Sequence, residues 1–380
     1  MKISCLQENL NRGLSIVGRA VATRTTLPIT NNVLIATDQG RLKLAATNLE
    51  IAISHWIGAT IEEEGAITVP ARLITEFVSA LPNDKLILIH PAQSRTPHTV
   101  QLQCARFEAR MNTMNAEDFP PIPTVGDGTT TMVDPKALHS AIAQVAFAAA
   151  TDDARPTLTG VNVEFSSDGL TMAAADGFRL AVHRAALSTT AKEKISIIVP
   201  ARAMTELNRL LADQEDPVEV AINPNRTQVL FHLTDTDLVS QLIQGTFPNY
   251  AQLIPQSYAC RAVVSVQEFL RATRTASIFA RDASGIVRLQ ITPGDKLSPG
   301  KMVVSARAEE VGDDVGEIDA LVDGEAAKIA FNSRYLLDVL QVLDTEQMAL
   351  ETNSPSSPGV FRPVGVDNYV HVIMPMFVQW

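Results

Sequence analysis

The chain repeats itself. VPARLITEFVSAL at 69–81 recurs as VPARAMTELNRLL at 199–211, and a third copy, FNSRYLLDVLQVL, runs from 331 to 343. The offsets are 130 and 132 residues. LKLAATNLEIAIS at 42–54 matches LTMAAADGFRLAV at 170–182, and DFPPIP at 118–123 matches TFPNYAQLIP at 246–255, with Phe119 and Phe247 separated by 128. A period near 130 is too long for a solenoid repeat and is the size of a whole domain. Three related domains are therefore expected, at 1–125, 126–255 and 256–380. Pro-rich stretches, PPIPTVGDG and FPNYAQLIPQS, mark both cuts.

Each copy carries the same coarse pattern. A helix opens it, expected at about 6–21, 135–149 and 266–281, and strand-like alternation follows, as at 32–37 and 160–165. A second helix starts just after VPAR or at FNSR, with Pro70 and Pro200 at a favourable first-turn position. More strands close the copy, as at 85–90 and 218–222. Strands outnumber helices and hairpin spacings are short, so the sheets should be mostly antiparallel and the class α+β. The order helix, strands, helix, strands also suggests an older duplication inside each copy. Hydrophobic residues make up 46% of the chain but aromatics only 5%, so the cores must be aliphatic.

Aligned, the three second helices present a polar stripe at i, i+4, i+7: Arg72-Glu76-Ser79, Arg202-Glu206-Arg209 and Arg334-Asp338-Gln341. Leu73, Phe77 and Leu81 take the opposite side, as do Ala203, Leu207 and Leu211. A solvated face with i,i+4 ion pairs accounts for the stripe by itself. The charge partition points elsewhere. The whole chain carries 31 basic and 42 acidic residues, a net charge of −11. The six expected helices hold ten basic residues against five acidic ones, a surplus of five, which leaves −16 for the remainder. Basic helices on an acidic body suit a protein whose helices meet phosphates while the rest repels them.

Catalytic signatures are sparse. There is no GxGxxG, GxxxxGK[ST], GxSxG or HExxH, and the seven histidines are scattered without ligand-like pairs. Cys5, Cys104 and Cys260 lie far apart, with neither a zinc-ligand spacing nor a disulfide framework, which fits a reduced, cytoplasmic protein. No metal or cofactor is expected. The N-terminus lacks a signal-peptide core and no run approaches 18 apolar residues, so no membrane association is expected. An enzyme whose catalytic groups converge from distant positions, or a protein-interaction scaffold whose helices never meet a polyanion, are the alternatives.

Taken in order along the chain, RTTLPI at 24–29, VPAR at 69–72, DFP at 118–120, RPTLTG at 155–160, ADGFRLA at 175–181, IVPAR at 198–202, FPNY at 247–250, FNSRYLLDVL at 331–340 and YVHVIMPM at 369–376 make a specific set. On these motifs the whole chain resembles the bacterial sliding clamp family, the β subunit of DNA polymerase III. The resemblance implies three repeated clamp domains, each with two inner helices and outer antiparallel sheets. It implies a head-to-tail homodimer that closes into a ring around double-stranded DNA and tethers the replicative polymerase for processivity, with no catalysis of its own. Clamp loader, repair polymerases and other proteins with a clamp-binding motif would be further partners.

Site residues follow by motif. DNA contact maps onto Arg24, Arg72 and Arg202, while Asp152 stands where the family often has a polar contact residue. A peptide pocket maps onto Leu158, Ala175, Gly177, Phe178, Arg179, Leu180, Pro248, Asn332, Tyr335, Val372, Ile373, Met374, Pro375 and Met376. In it Met side chains would adapt to different ligands, and Arg179 or Asn332 would fix peptide backbone. Read without the resemblance, Asp176-Gly177 is a hairpin-turn signal, and Met374 and Met376 alternate as core residues of a strand would. The dimer seam maps onto Phe107 on one side and Ile278 and Phe279 on the other; all three also fit an internal core. The NSPSSPG segment at 353–359 is expected to be mobile, and the ending Phe377-Val378-Gln379-Trp380 is longer and more aromatic than the family's usual finish.

Overall fold

The computed structural model describes the chain except residues 23–24, 91–98, 124–127, 153, 188–193, 282–283 and 296–297. The first repeat contains β1 (Lys2–Leu6), α1 (Gln7–Val17), β2 (Asn32–Asp38), β3 (Arg41–Thr47), β4 (Ile51–Ile57), β5 (Thr60–Glu63), β6 (Ala66–Pro70), α2 (Ala71–Ser79), β7 (Lys85–Ile89), β8 (Thr99–Cys104) and β9 (Phe107–Asn112). The second contains β10 (Thr129–Val133), α3 (Pro135–Val145), β11 (Gly160–Ser166), β12 (Gly169–Ala175), β13 (Arg179–Ala185), β14 (Ile195–Pro200), α4 (Ala201–Leu210), β15 (Val218–Ile222), β16 (Gln228–Leu233) and β17 (Thr236–Gln241). The third contains β18 (Cys260–Ser265), α5 (Val266–Ala280), β19 (Ile286–Thr292), β20 (Gly300–Ala308), β21 (Gly312–Gly324), β22 (Ala327–Asn332), α6 (Ser333–Val342), β23 (Gln347–Thr352), β24 (Gly359–Pro363) and β25 (Tyr369–Ile373).

The second and third repeats are thus βαβββ twice over, and the first adds only β5. A strand, not a helix, opens each copy. β1 and β18 end directly against their helices, so an amphipathic helical run masks the short apolar segment before it. Pro70 and Pro200 close β6 and β14, immediately before the helices they were expected to begin. In both roles a residue with no N–H leaves no donor unpaired.

The helices form where capping and periodicity agree. At α5, Ser265 accepts a hydrogen bond from the Glu268 amide, as a capping box requires. At α6, the Asn332 side chain accepts from the Arg334 amide. Helix α2 buries Ala71, Ile74 and Val78, while Leu73 is 49% exposed and Phe77 is partly so, which corrects the apolar side expected for it. In α4, Ala203 and Leu207 are fully buried.

Every strand pairing among the described residues is antiparallel. By proximity the chain divides into two units: 1–135 with 206–242, and 136–205 with 243–380. All three boundaries fall inside the second repeat because its two halves pair with different neighbours. In the first unit β17 pairs with β4, extending a sheet ordered β10-β15-β16-β17-β4-β3-β2-β6. In the second unit β13 pairs with β25, inside a sheet ordered β14-β11-β12-β13-β25-β24-β23-β18-β21-β20-β19-β22. The joint has one rule. The strand that ends the first βαβββ half of a repeat pairs with the last strand of the next repeat.

Replacing Ser265 by Ala should remove the α5 cap and lower unfolding stability by about 1 kcal/mol. The midpoint of urea unfolding, with the slope unchanged, checks this.

Candidate functional site

The β12–β13 hairpin tip organises one candidate groove. Asp176 Oδ1 accepts from the amides of Phe178 (2.8 Å) and Arg179 (2.9 Å), and Gly177 takes φ +92°, so the hairpin signal is realised. A Cβ on Gly177 would come within 2.6 Å of the Arg155 guanidinium, which donates to the Asp176 carbonyl. The turn leaves Phe178 60% exposed, and the Met374 amide donates to the Phe178 carbonyl at 2.8 Å. Strand register sets Leu180 opposite Val372 and Arg179 opposite Ile373.

Below the tip lies an apolar floor of Ala173, Leu180, Val182, Val360, Val370 and Val372, against which Ala175, Phe247, Tyr250 and Ile254 pack. Of the expected pocket residues, Leu158, Leu180, Val372 and Ile373 are buried and can only be floor. Gly177, Phe178, Pro248 and Met374 are exposed, and Ala175, Tyr335, Pro375 and Met376 are partly so. Met374 and Met376 follow β25 and are not strand residues. The FPNYAQLIP repeat was the signal for Phe247, Tyr250 and Ile254, which the motif mapping missed.

Arg179 and Asn332, expected to fix peptide backbone, both make contacts within the chain. Arg179 is 9% exposed. Its Nε meets Asp176 Oδ2 at 3.0 Å, Nη1 meets Asp338, and Nη2 donates to the Phe147 carbonyl at 2.7 Å. Its guanidinium carbon also lies 4.5 Å from the Tyr335 ring centroid. A guanidinium so placed is a strut between β13 and α6 and holds the groove wall. The Asn332 amide oxygen is likewise committed, as the α6 cap. Asp338, expected on a solvated stripe beside Arg334, turns instead to Arg179.

Behind Arg179 sits a buried aromatic layer. The His371 ring stacks on Phe147, with centroids 5.5 Å apart, and Tyr369 Oη lies 3.2 Å from His371 Nδ1. Burial, with the nearby Arg179 charge, pushes the His371 imidazole down to about 3. Burial likewise lowers His183, whose Nδ1 meets Gln144 Oε1 at 2.8 Å, and raises the Tyr369 phenol.

On the second helices, Arg72 pairs with Glu76 at 2.7 Å and stays exposed, as an ordinary i,i+4 ion pair. Glu206 is nearly buried between Arg209 at 2.8 Å and Arg19 at 3.6 Å. Arg202 is exposed and, among the described residues, has no ion-pair partner; the same holds for Lys136, Arg271, Arg274 and Arg334. The observed helices carry eight basic residues against five acidic, because Arg19 and Arg281 fall just past the helix ends. Arg24 lies outside the described residues. Asp152 is exposed and accepts from the Ala154 amide.

Two stretches of strand edge without a partner among the described residues carry the expected seam residues. Strand β9 ends its sheet, ordered β5-β1-β7-β8-β9, and Phe107 at its start is 55% exposed. In β21, residues 312–320 pair with β20 on one side, whereas β18 covers only 321–324 on the other. Beside this edge Ile278 is 54% and Val315 66% exposed, Phe279 is partly buried, and a Cβ on Gly312 would sit 3.9 Å from the Phe279 ring. Phe107 and Ile278 are therefore not internal core. Asp314 Oδ2, on the open stretch, is shut from solvent without a hydrogen-bond partner.

Among the described residues no group of three or more His, Cys, Asp or Glu could hold a metal ion, and no helix is long and apolar enough to cross a membrane. The segment at 353–359, expected to be mobile, is tied by Asn353 to the Ser257 carbonyl and by Ser354 to Ser357. Trp380 lies over Arg288 and Lys328, 5.9 and 5.6 Å from its ring centroid.

Three family models, described as the DNA polymerase III beta subunit N-terminal, central and C-terminal domains, match residues 1–123, 132–249 and 251–377. The chain belongs to the DNA polymerase III beta subunit family. It is similar to the beta sliding clamp of Synechococcus elongatus, 33% identical over 380 residues and 99% of each chain. It is 29% identical to that of Staphylococcus aureus over 367 residues and 94% of each chain. Among solved structures, the sliding clamp of Bacillus subtilis superimposes with a TM-score of 0.92 at 27% identity, covering 100% of both chains. A sliding clamp from Pseudomonas aeruginosa bound to griselimycin gives 0.89 at 27% identity, again over 100% of both. The family places this chain as a DNA sliding clamp, a non-catalytic processivity subunit of a polymerase holoenzyme.

The buried imidazoles set a pH dependence. The unfolded chain titrates His371 near 6.5 and the folded chain only near 3, so the unfolded state binds more protons between these values. Stability should be full above about pH 6.5 and fall below it, by about 2 kcal/mol at pH 5 from His371 alone. Urea unfolding across this range checks it, and His371→Phe should flatten the slope by one proton.

Proposed function

We propose that two copies of this chain close head to tail into a ring around double-stranded DNA. The observation that carries this reading is the joint rule. β4 takes β17 and β13 takes β25, so β21 of the third repeat lacks a following repeat. The strand that corresponds to β17 and β25 is β9, whose outer edge is free. Pairing β21 of one copy with β9 of another repeats the internal joint, and such a heterologous contact yields a ring if its rotation closes. The chemistry matches. Exposed Phe107 faces exposed Ile278 and Val315, and Arg106 just before β9 and Arg110 within it, the latter beside Glu108, meet a strand that carries Asp313, Asp314 and Glu317. The unpartnered Asp314 oxygen gains a cationic neighbour there.

In the ring basic side chains meet phosphates, Arg72 after giving up its pair with Glu76. Arg24, Arg72 and Arg202, with Lys136 and Arg271, supply attraction that reads no sequence and is screened by salt, so the ring slides. Retention is then topological. The groove at Phe178, Met374 and Pro248 takes an apolar peptide anchor from the replicative polymerase, clamp loader, repair polymerases and other partners with a clamp-binding motif. Its Arg179 wall is already set, so a peptide meets a preorganised surface. The three clamp domains run 1–125, 126–255 and 256–380, and the protein works in the cytoplasm.

On a nicked circle the loaded protein should persist through gel filtration in about 0.5 M salt and run off once the circle is cut, because a phosphate-bound protein would be lost from both. Equal retention on circle and line sinks the ring. Ile278→Asp with Phe279→Asp should give a folded monomer by light scattering with unchanged circular dichroism. A persisting dimer would count against the edge pairing.

A further inference from the structure

The joint that builds the Phe178 groove occurs twice in the chain. In the first unit Asn48 Oδ1 accepts from the amides of Glu50 (3.0 Å) and Ile51 (2.8 Å), as Asp176 does from Phe178 and Arg179. The Gln241 amide donates to the Glu50 carbonyl at 2.9 Å, as Met374 does to Phe178. Val239 stands opposite Ala52, as Val372 does opposite Leu180. The Pro-rich run at 120–123 takes the place of the connector at 248–251. Between these elements lies a cleft of about 230 Å³. The matching positions carry different chemistry: Glu50 for Phe178, Ile51 for Arg179, Gln241 for Met374 and Leu49 for Gly177.

Leu49 is the second, independent observation. Its φ is +77°, in the left-handed region where Gly177 sits without strain, and its side chain is 53% exposed. Leucine is costly in that backbone and its exposed side chain recovers nothing by burial within the chain. Strain of this kind, held at the tip of a cleft, marks a residue kept for what it touches. The floor is Ile51, Ala52 and Val239, all buried. Glu50 is the one charged residue on the rim, is exposed, and has no ion pair among the described residues.

We propose that this cleft is a second peptide-docking site, which takes one aliphatic side chain of an extended partner segment against Leu49 and Pro120 and pairs a neighbouring Arg or Lys with Glu50. The volume admits one leucine-sized side chain. The acidic rim selects a basic neighbour, where the Phe178 groove presents Phe and Met to a wholly apolar anchor. The two copies of one joint thus recruit different peptides.

The test is a titration of the full chain, labelled at Leu, Ile and Val methyl groups, with the capped peptide Ser-Arg-Leu-Ser-Ser. Saturable shifts are expected at Leu49, Ile51 and Val239, with binding roughly tenfold weaker when the peptide leucine is replaced by serine. Leu49→Gly keeps the fold, since φ there is glycine's own, and should weaken binding by a similar factor; Glu50→Gln should weaken it about threefold. Methyl groups still at millimolar peptide, equal binding of the serine peptide, or full affinity in Leu49→Gly would overturn the proposal. Leu180 and Val372 report the other groove in the same spectra, so failure at one site is read apart from failure at the other.

Discussion

Backbone pairing between successive repeats is the constraint on which the rest depends. A βαβββ unit leaves its last strand with a bare edge, and a bare edge inside a protein costs unmet hydrogen bonds. Here β4 and β13 are covered by the closing strands of the repeats that follow them. The covering strand comes from the neighbour, so compactness follows the joints and not the repeats, and the second repeat is shared between two units. The same arrangement leaves β9 and the 312–320 part of β21 open at the two ends of the series.

At each joint a hairpin tip, a closing strand and a Pro-rich connector converge, over a cleft of about 230 Å³ in the first unit and over an apolar floor in the second. What the clefts offer is decided by a few side chains on a common backbone. In the second unit a buried guanidinium is shared by Asp176, Asp338 and the Phe147 carbonyl, and two aromatic faces flank it. Removing either carboxylate would leave a charge poorly compensated, so the network fixes the wall between β13 and α6. In the first unit Ile51 fills the corresponding position by simple burial, and the tip is free to carry a strained leucine.

Charge is arranged by a different rule. Several helix cations are already neutralised, as Arg72 is by Glu76 and Arg209 by Glu206. Arg202, Lys136, Arg271, Arg274 and Arg334 have no such partner among the described residues. In the proposed ring this modest set of free cations would attract a polyanion without gripping it, which is what movement along DNA needs. The net charge of −11 keeps the remaining surface unattractive to the same polyanion.

Triplication, the α+β class, antiparallel sheets, both helices of each repeat and the Asp176-Gly177 turn were legible in the sequence, because they rest on local periodicity and on turn chemistry that acts within a few residues. The opening strands β1, β10 and β18 were not, since short apolar runs beside a helix carry no period of their own. Nor was the exposure of Leu73, or the turn of Asp338 away from its own helix face toward Arg179, 159 residues distant. Those outcomes depend on which partner arrives from another repeat. Sequence by itself determined that three similar domains form and where each helix and turn lies. Only the tertiary structure decided which strand closes which sheet, and hence which edges stay open and which side chains line the clefts, because pairing across a joint is a contact between segments that no local pattern specifies.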